Sequence, residues 1–152
     1  MRTRVTAGYT FVEILVVLAV IAILAAVTVT AFQNFYGASA LKTNSQEVYM
    51  ALTDARLNTL GSAGDTVYGV HLTDTGFVLF VGDTYDALDP DNQTYEYTFG
   101  ITAVGTLPTV NADVVFSRLT GMPSVAGTII LRNRAQTETR TLTIYDSGLI
   151  EY

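Results

Sequence analysis

The sequence predicts an α+β protein in which a long N-terminal α-helix, half membrane-spanning and half amphipathic, packs on a C-terminal antiparallel β-sheet domain. Three observations support this prediction: an apolar run over residues 11–29, an apolar stripe at helical spacing after it, and period-two patterning from Val67 onward. With 152 residues, the chain is long enough for one domain with a modest core.

The first half of the predicted helix is apolar on every side. Residues 11–29 carry one charge, Glu13, and would span about 28 Å as a helix, enough to cross the core of a bilayer. Arg2 and Arg4 precede the run, so the positive-inside tendency keeps this end in the cytoplasm and exports the rest. A plain signal anchor, or a secretory signal cut near residues 25–26, would give a similar hydropathy profile.

The second half of the predicted helix is apolar on one side only. Its apolar residues recur at spacings near three, four and seven, which is typical of an amphipathic helix. They are Phe35, Leu41, Val48, Leu52, Ala55 and Leu60. Because Gly61 and Gly64 are suited to end a helix, the pattern predicts one helix over about residues 10–60.

The rest of the chain is rich in β-branched and aromatic residues, as strands are. Two runs flank the turn sequence TDTG and predict a hairpin, and a short strand follows the DSG turn near the end. The strand candidates are residues 67–73, 76–82, 94–101, 113–118, 127–133, 139–146 and 149–152. We expect them to form one antiparallel sheet on the amphipathic half of the helix.

Glu13 is unexpected in an apolar run, because a charge at the centre of a membrane helix costs about 2.5–3.5 kcal/mol. A cut after Gly8 would place a cationic α-amine on Tyr9, four residues before Glu13 and on the same helix face. The carboxylate could pair with that amine, or with the amine of a neighbouring subunit and so set axial register. A position at the headgroup boundary is the alternative explanation.

The stretch GYTFVEILVVLAVIAILAA resembles the class III signal of type IV pilins and type II secretion pseudopilins. The resemblance rests on a glycine, a glutamate five residues after it and the apolar run together. It implies that prepilin peptidase cuts after Gly8, that Tyr9 becomes the N-methylated first residue, and that Glu13 acts in subunit assembly. The family most often has phenylalanine where this chain has Tyr9.

The resemblance also implies a division of the chain. Residues 1–8 would be the prepilin leader, 9–35 the hydrophobic transmembrane and assembly helix, and 36–152 the amphipathic helix half with the β-domain. Residues 36–152 are more diffusely similar to minor pseudopilins, for example in DAR, YGVHL and TIYDSGLIEY.

The implied function is that of a non-enzymatic filament subunit of a type IV pilus or type II secretion system. Its partners would be other pilin or pseudopilin subunits, prepilin peptidase, the inner-membrane assembly platform and membrane lipid. The precursor would cross the inner membrane once, with its N-terminus in the cytoplasm, before it enters an extracytoplasmic or cell-surface filament. The alternative is a membrane-anchored extracytoplasmic binding domain, an adhesin or DNA-uptake component, that does not polymerise.

The sequence offers little catalytic chemistry. His71 is the single histidine and lies in a strand pattern, where a structural role is the better interpretation. The sequence has no cysteine that could act as a nucleophile and no glycine-rich loop that could bind phosphate. We therefore predict neither enzymatic activity nor a cofactor.

An acidic, proline-containing stretch lies between the strand candidates. Asp89, Asp91 and Glu96 are weak candidates for a calcium site, because hard cations bind carboxylate oxygens at such spacing. The stretch lacks the glycine and the twelfth-position glutamate of an EF-hand, so a solvated surface loop is the preferred interpretation and no metal is predicted.

The basic residues that follow the helix concentrate in the last third of the chain. They are Arg118, Arg132, Arg134 and Arg140. On adjacent strands they could contact phosphate or an acidic partner. The net charge of −6 favours ordinary surface pairing and argues against nucleic acid as a partner.

Overall fold

A computed structural model of the protein describes residues 8–105, 107 and 113–152, apart from the side chains of residues 29–34. The predicted leader residues Arg2 and Arg4 lie outside the described residues. The chain forms two compact units, of which the first ends at Tyr36 and the second covers Gly37–Tyr152.

One long helix, α1, covers Phe11–Leu60, in agreement with the helix predicted over residues 10–60. Directly after its end, Ser62 and Gly64 adopt left-handed backbone angles, with φ of 50° and 63°. This reversal and the short 3₁₀ turn Ala63–Asp65 lead the chain into the sheets.

The described part of the second unit contains eight strands. They are β1 Tyr68–Leu72, β2 Gly76–Val81, β3 Gln93–Glu96, β4 Thr102–Gly105, β5 Asp113–Val115, β6 Gly127–Arg132, β7 Thr139–Ile144 and β8 Ile150–Glu151. They form two four-stranded antiparallel sheets, ordered β3-β2-β1-β5 and β4-β6-β7-β8. The α+β class is confirmed, but the expectation of a single sheet is wrong.

The predicted hairpin around TDTG is present as β1 and β2. Its register pairs Tyr68 with Val81 and Leu72 with Phe77. Gly76 begins β2 beneath the backbone of β3, and a Cβ there would collide with the carbonyl oxygen of Tyr95. The close pairing of β2 with β3 therefore requires glycine at this position.

The strand predicted over residues 94–101 is wrong in its second half. Strand β3 ends at Glu96, and the chain then turns through Phe99 and Gly100, whose φ angles are 55° and 68°. Strand β4 follows and pairs with β6 in the other sheet. These two left-handed residues move the chain from one sheet to the other.

The core of the second unit lies between α1 and both sheets. Its helical side consists of Ala40, Leu41, Val48, Ala51, Leu52 and Ala55. Its sheet side includes Val70 and Phe77 from the first sheet, and Leu131, Leu142 and Ile144 from the second. Most of the predicted stripe is thus buried, whereas Phe35 lies in the first unit and is 70% exposed.

Candidate processing and assembly site

The bond that the sequence predicts to be cut joins two exposed residues just before α1. Tyr9 is 82% exposed, and a Cβ added to Gly8 would meet no atom within 4 Å. Neither a left-handed backbone nor close packing within the described chain requires glycine here. A requirement for Gly8 would therefore come from a molecule that binds this segment.

Thr10 caps the helix immediately after that bond. Its hydroxyl oxygen accepts a hydrogen bond from the backbone N–H of Glu13 at 3.2 Å, and its carbonyl accepts from Ile14 at 3.3 Å. Thr-x-x-Glu is the spacing of a capping box, and a carboxylate in the first turn favours the positive end of the helix dipole. Thr10 was missed in the sequence, although this spacing could have revealed it.

Glu13 is the acidic residue of the first turn of α1. Its backbone N–H satisfies the cap, so the side chain is not needed for that hydrogen bond. Within the described residues, the carboxylate forms no ion pair. The backbone of Glu13 thus takes part in the helix cap, while its carboxylate is available to another group.

The helix segment Phe11–Thr28 is long and apolar enough to cross a membrane, and none of it is buried within the chain. At 1.5 Å per residue its 18 residues span about 27 Å, close to the thickness of a bilayer core. The Thr28 hydroxyl donates to the carbonyl of Leu24 at 2.7 Å, which satisfies a polar group that lipid would leave without a partner. The segment is suited to an apolar environment supplied from outside the chain.

His71 has a well-defined place on β1. Its Nδ1 lies 2.6 Å from Oδ1 of Asp113, the residue opposite it on β5, and its ring stacks on Tyr85 with centroids 4.0 Å apart. The other oxygen of Asp113 accepts from the backbone N–H of Tyr85 at 3.4 Å. This arrangement fastens the loop after β2 to the sheet, in keeping with a structural histidine.

A cavity of about 390 Å³ lies beside Asp113. Ser124 lines it, but its hydroxyl accepts from the N–H of Val115 at 3.0 Å and donates to the carbonyl of Asp113 at 3.3 Å. The hydroxyl of Ser124 is therefore committed to the backbone and is not placed as an activated nucleophile.

The acidic loop uses its carboxylates to order its own backbone. Asp89 Oδ1 accepts from the N–H of Asp91 at 2.9 Å, and Asp86 Oδ1 accepts from that of Leu88 at the same distance. Across the described ranges, no three His, Cys, Asp or Glu side chains are placed to hold a metal ion. Asp89, Asp91 and Glu96 are therefore not brought together as a calcium site.

The four arginines singled out from the sequence separate into two places. Arg118 pairs with Asp65 after α1, its Nη2 lying 2.6 Å from Oδ1. Arg132, Arg134 and Arg140 belong to the hairpin formed by β6 and β7. The predicted cluster of basic residues is therefore reduced to three arginines on one hairpin.

Comparison with known families identifies the N-terminal segment. Residues 3–29 match the family model described as the prokaryotic N-terminal methylation motif. The matched stretch is the class III prepilin signal, which joins the end of the leader to the apolar helix and includes Gly8, Tyr9 and Glu13. No curated protein and no solved structure matches the chain.

The chain thus carries a pilin-like leader ahead of a membrane-capable helix. Such a leader points to a structural subunit and not to an enzyme. The motif is typical of precursors that a leader peptidase recognises and that assemble with pilin subunits. Together with the apolar helix it indicates a precursor anchored in the inner membrane.

Proposed function

We propose that the chain is a structural subunit, of the minor pilin or pseudopilin kind, in a type IV pilus or type II secretion filament. Prepilin peptidase would cut the precursor after Gly8 and methylate the new amine of Tyr9. The observation that carries this proposal is the match over residues 3–29, which joins a basic leader, a glycine, a glutamate and an apolar helix in one segment.

The surroundings of the cut site support processing. Residues 8–10 precede α1 and are exposed, so a peptidase can engage them in an extended conformation without unfolding the helix. After the cut, Thr10 would be the second residue and its side chain would still cap the helix. Processing therefore removes the charged leader and leaves the start of the helix intact.

The exposed apolar surface of α1 supports assembly. Inside the membrane, lipid covers the segment Phe11–Thr28. Once a subunit leaves the membrane, the same side chains would face water at a cost of about 25 cal/mol for each Å² of apolar surface. Helices of neighbouring subunits can cover that surface, so polymerisation gives the segment a second apolar environment.

Glu13 would give this packing a register. The amine of a processed Tyr9 is a cation at the apolar end of the subunit, and leaving it unpaired in a filament core would cost several kcal/mol. The carboxylate of Glu13 has no ion-pair partner among the described residues and can meet the amine of a neighbouring subunit. A single axial offset between neighbouring helices would pair the Glu13 carboxylate of one subunit with the Tyr9 amine of the next.

The experiment is co-expression of the full chain with a prepilin peptidase and a filament assembly system. We expect mass spectrometry to find Tyr9 at the N-terminus with one added methyl group, and cleaved subunit to appear in sheared filaments. A cut near residues 25–26 would instead identify a secretory signal. Correct processing without filaments would favour the anchored binding domain, such as an adhesin or a DNA-uptake component.

A further inference from the structure

A slot with two acidic side chains lies between α1 and the first sheet. Glu47, Met50 and Asp54 line its helical wall, and the stacked rings of Phe77 and Tyr95, 4.8 Å apart, form the sheet wall. The cavity measures about 210 Å³. Met50 is 57% exposed and Tyr95 is 40% exposed, so the slot opens to solvent.

The chemistry of the slot suits an arginine side chain. Glu47 and Asp54 are seven residues apart, so they lie about two turns apart on one helix face. Carboxylates bind a guanidinium group through charge-assisted hydrogen bonds, and aromatic faces attract it through cation–π contact. Met50 and the ring of Tyr95, which are both exposed, can also cover the apolar stem of an arginine.

None of the described residues fills the slot with a cation. The ion pairs of the described residues join His71 to Asp113 and Arg118 to Asp65. Glu47 and Asp54 are both exposed and belong to neither pair. Two carboxylates thus lie beside an apolar wall without an ion-pair partner among the described residues.

The matching surface is the β6–β7 hairpin, residues 127–144. Half of the basic side chains after Gly8 occur between positions 132 and 140 of this hairpin, although the chain has a net charge of −6. Arg134 and Arg140 are exposed, and neither forms an ion pair within the described ranges. The hairpin is therefore a cationic projection on an acidic molecule.

The tip of this hairpin is ordered before any partner binds. Oδ1 of Asn133 accepts from the N–H of Thr137 at 2.9 Å, and its Nδ2 donates to the Thr137 hydroxyl at 3.0 Å. The Arg134 side chain packs over Gly100, where an added Cβ would lie 3.4 Å from the Arg134 Cβ. Because the loop is already folded, binding loses little conformational entropy in ordering it.

We propose that the slot binds the β6–β7 hairpin of a second copy of this chain, with Arg134 and Arg140 against Glu47 and Asp54. This contact rests on the filament function proposed above and adds a β-domain contact to the packing of the helices. The two surfaces are different, so the contact is heterologous and repeats from one subunit to the next. In an open filament, every inner subunit would use both surfaces.

Charge reversal in the full-length chain tests the contact. Glu47→Arg with Asp54→Arg, or Arg134→Glu with Arg140→Glu, should lower the ratio of filament to membrane subunit by about tenfold or more. The variant with all four changes should return to within about threefold of the parent, because the opposite charges meet again. Asp146→Arg reverses an exposed carboxylate in the turn after β7 and should leave the ratio unchanged.

Cysteine crosslinking gives a second readout that does not depend on filament yield. The chain has no cysteine, so Met50→Cys with Ala135→Cys supplies the sole thiols. A short bis-maleimide should link this variant into a ladder in sheared filaments, whereas Met50→Cys with Ser147→Cys should give none. A link from position 50 to another filament protein would overturn the choice of a second copy.

The failure of this contact is distinguishable from the failure of the filament function. If the parent chain is processed but never enters filaments, the filament function fails and this contact with it. If the parent forms filaments, but the charge-reversed variants also assemble normally and no crosslinked ladder appears, then the proposed contact alone is wrong.

Discussion

Asn44 on α1 and Thr98 in the turn after β3 exchange two hydrogen bonds. Nδ2 of Asn44 donates to the Thr98 hydroxyl at 3.0 Å, and the N–H of Thr98 donates to Oδ1 of Asn44 at 3.1 Å. The same Nδ2 donates to the carbonyl of Ala40 at 2.7 Å. Because Asn44 is buried, its amide fixes the helix to the segment that connects the two sheets.

Replacing Asn44 should destabilise the β-domain without altering the leader. Asn44→Ala removes the buried amide together with its hydrogen bonds to Thr98 and Ala40, which should lower the free energy of unfolding by about 1–3 kcal/mol. Thermal unfolding followed by circular dichroism measures the loss. Thr53→Ala is the control, because among the described residues that hydroxyl bonds the carbonyl of Tyr49 within the same helix, and we expect the variant to stay within about 0.5 kcal/mol of the parent.

The second unit should fold without the first. It contains the Asn44–Thr98 bonds and the core between α1 and both sheets, while the exposed apolar surface of Phe11–Thr28 belongs to the first. A fragment that begins at Gly37 should therefore be monomeric in solution and unfold cooperatively, as judged by light scattering and circular dichroism. Aggregation of this fragment would mean that its core needs the rest of the helix.

Tyr97 should make the domain sensitive to alkaline pH. Its hydroxyl is buried with no hydrogen-bond partner among the described residues, and burial raises the pKa of this phenol above its usual value. The folded state therefore holds the proton more tightly than the unfolded state, whose tyrosine pKa is about 10. This stabilisation is complete below about pH 10, the pKa of the unfolded state. Above that pH, the free energy of unfolding falls by about 1.4 kcal/mol per pH unit.

Tyr97→Phe tests this assignment. The variant should be at least as stable as the parent at neutral pH, because it removes an unpaired buried hydroxyl. It should also lose part of the alkaline destabilisation in urea unfolding measured from pH 8 to 11. Tyr145→Phe serves as the comparison, since Tyr145 is exposed and its pKa is raised mainly by its hydrogen bond to Glu151. An unchanged pH profile for Tyr97→Phe would rule out this role.

The helix was predictable because its signals are local. The apolar run, the stripe and the glycines after Leu60 indicate where α1 begins and ends, and each is visible in a short window of sequence, although the first left-handed residue after the helix is Ser62. The division into two sheets was not predictable in this way. It depends on Phe99, a bulky residue in a left-handed conformation, and on the pairing of β4 with β6, about 30 residues away in sequence.

The candidate site shows the same contrast. Gly8, Tyr9 and Glu13 stand out through their spacing, and Thr10 was equally accessible through the capping-box pattern. The partner of His71 was not accessible, because Asp113 is 42 residues away and reaches it only through strand pairing. Local chemistry is therefore predictable from this sequence to a greater extent than side-chain pairs across strands.

Gly8→Val should block processing without disturbing the chain. A Cβ at this position meets nothing within 4 Å, so the described chain leaves room for a side chain to begin there, and a loss of cleavage reports on the peptidase. Immunoblotting should show uncut precursor in the membrane. Gly37→Ala is the matched control, because a Cβ there also meets no atom within 4 Å, and this variant should be cut normally.

The carboxylate of Glu13 and the hydroxyl of Thr10 can be separated by substitution, because the cap uses only the backbone N–H of residue 13. Glu13→Val keeps that cap and suits the bilayer, so it should be inserted and cleaved but excluded from filaments. The reason is that the amine of a processed Tyr9 would lose its partner in an apolar core, at a cost of several kcal/mol.

Thr10→Ala removes the cap, at about 1 kcal/mol, but keeps the carboxylate and should still assemble. The ratio of cleaved subunit in sheared filaments to that in the membrane distinguishes the two roles. Normal assembly of Glu13→Val together with poor assembly of Thr10→Ala would mean that this end of the helix serves capping, and that the charge does not set the register of a filament.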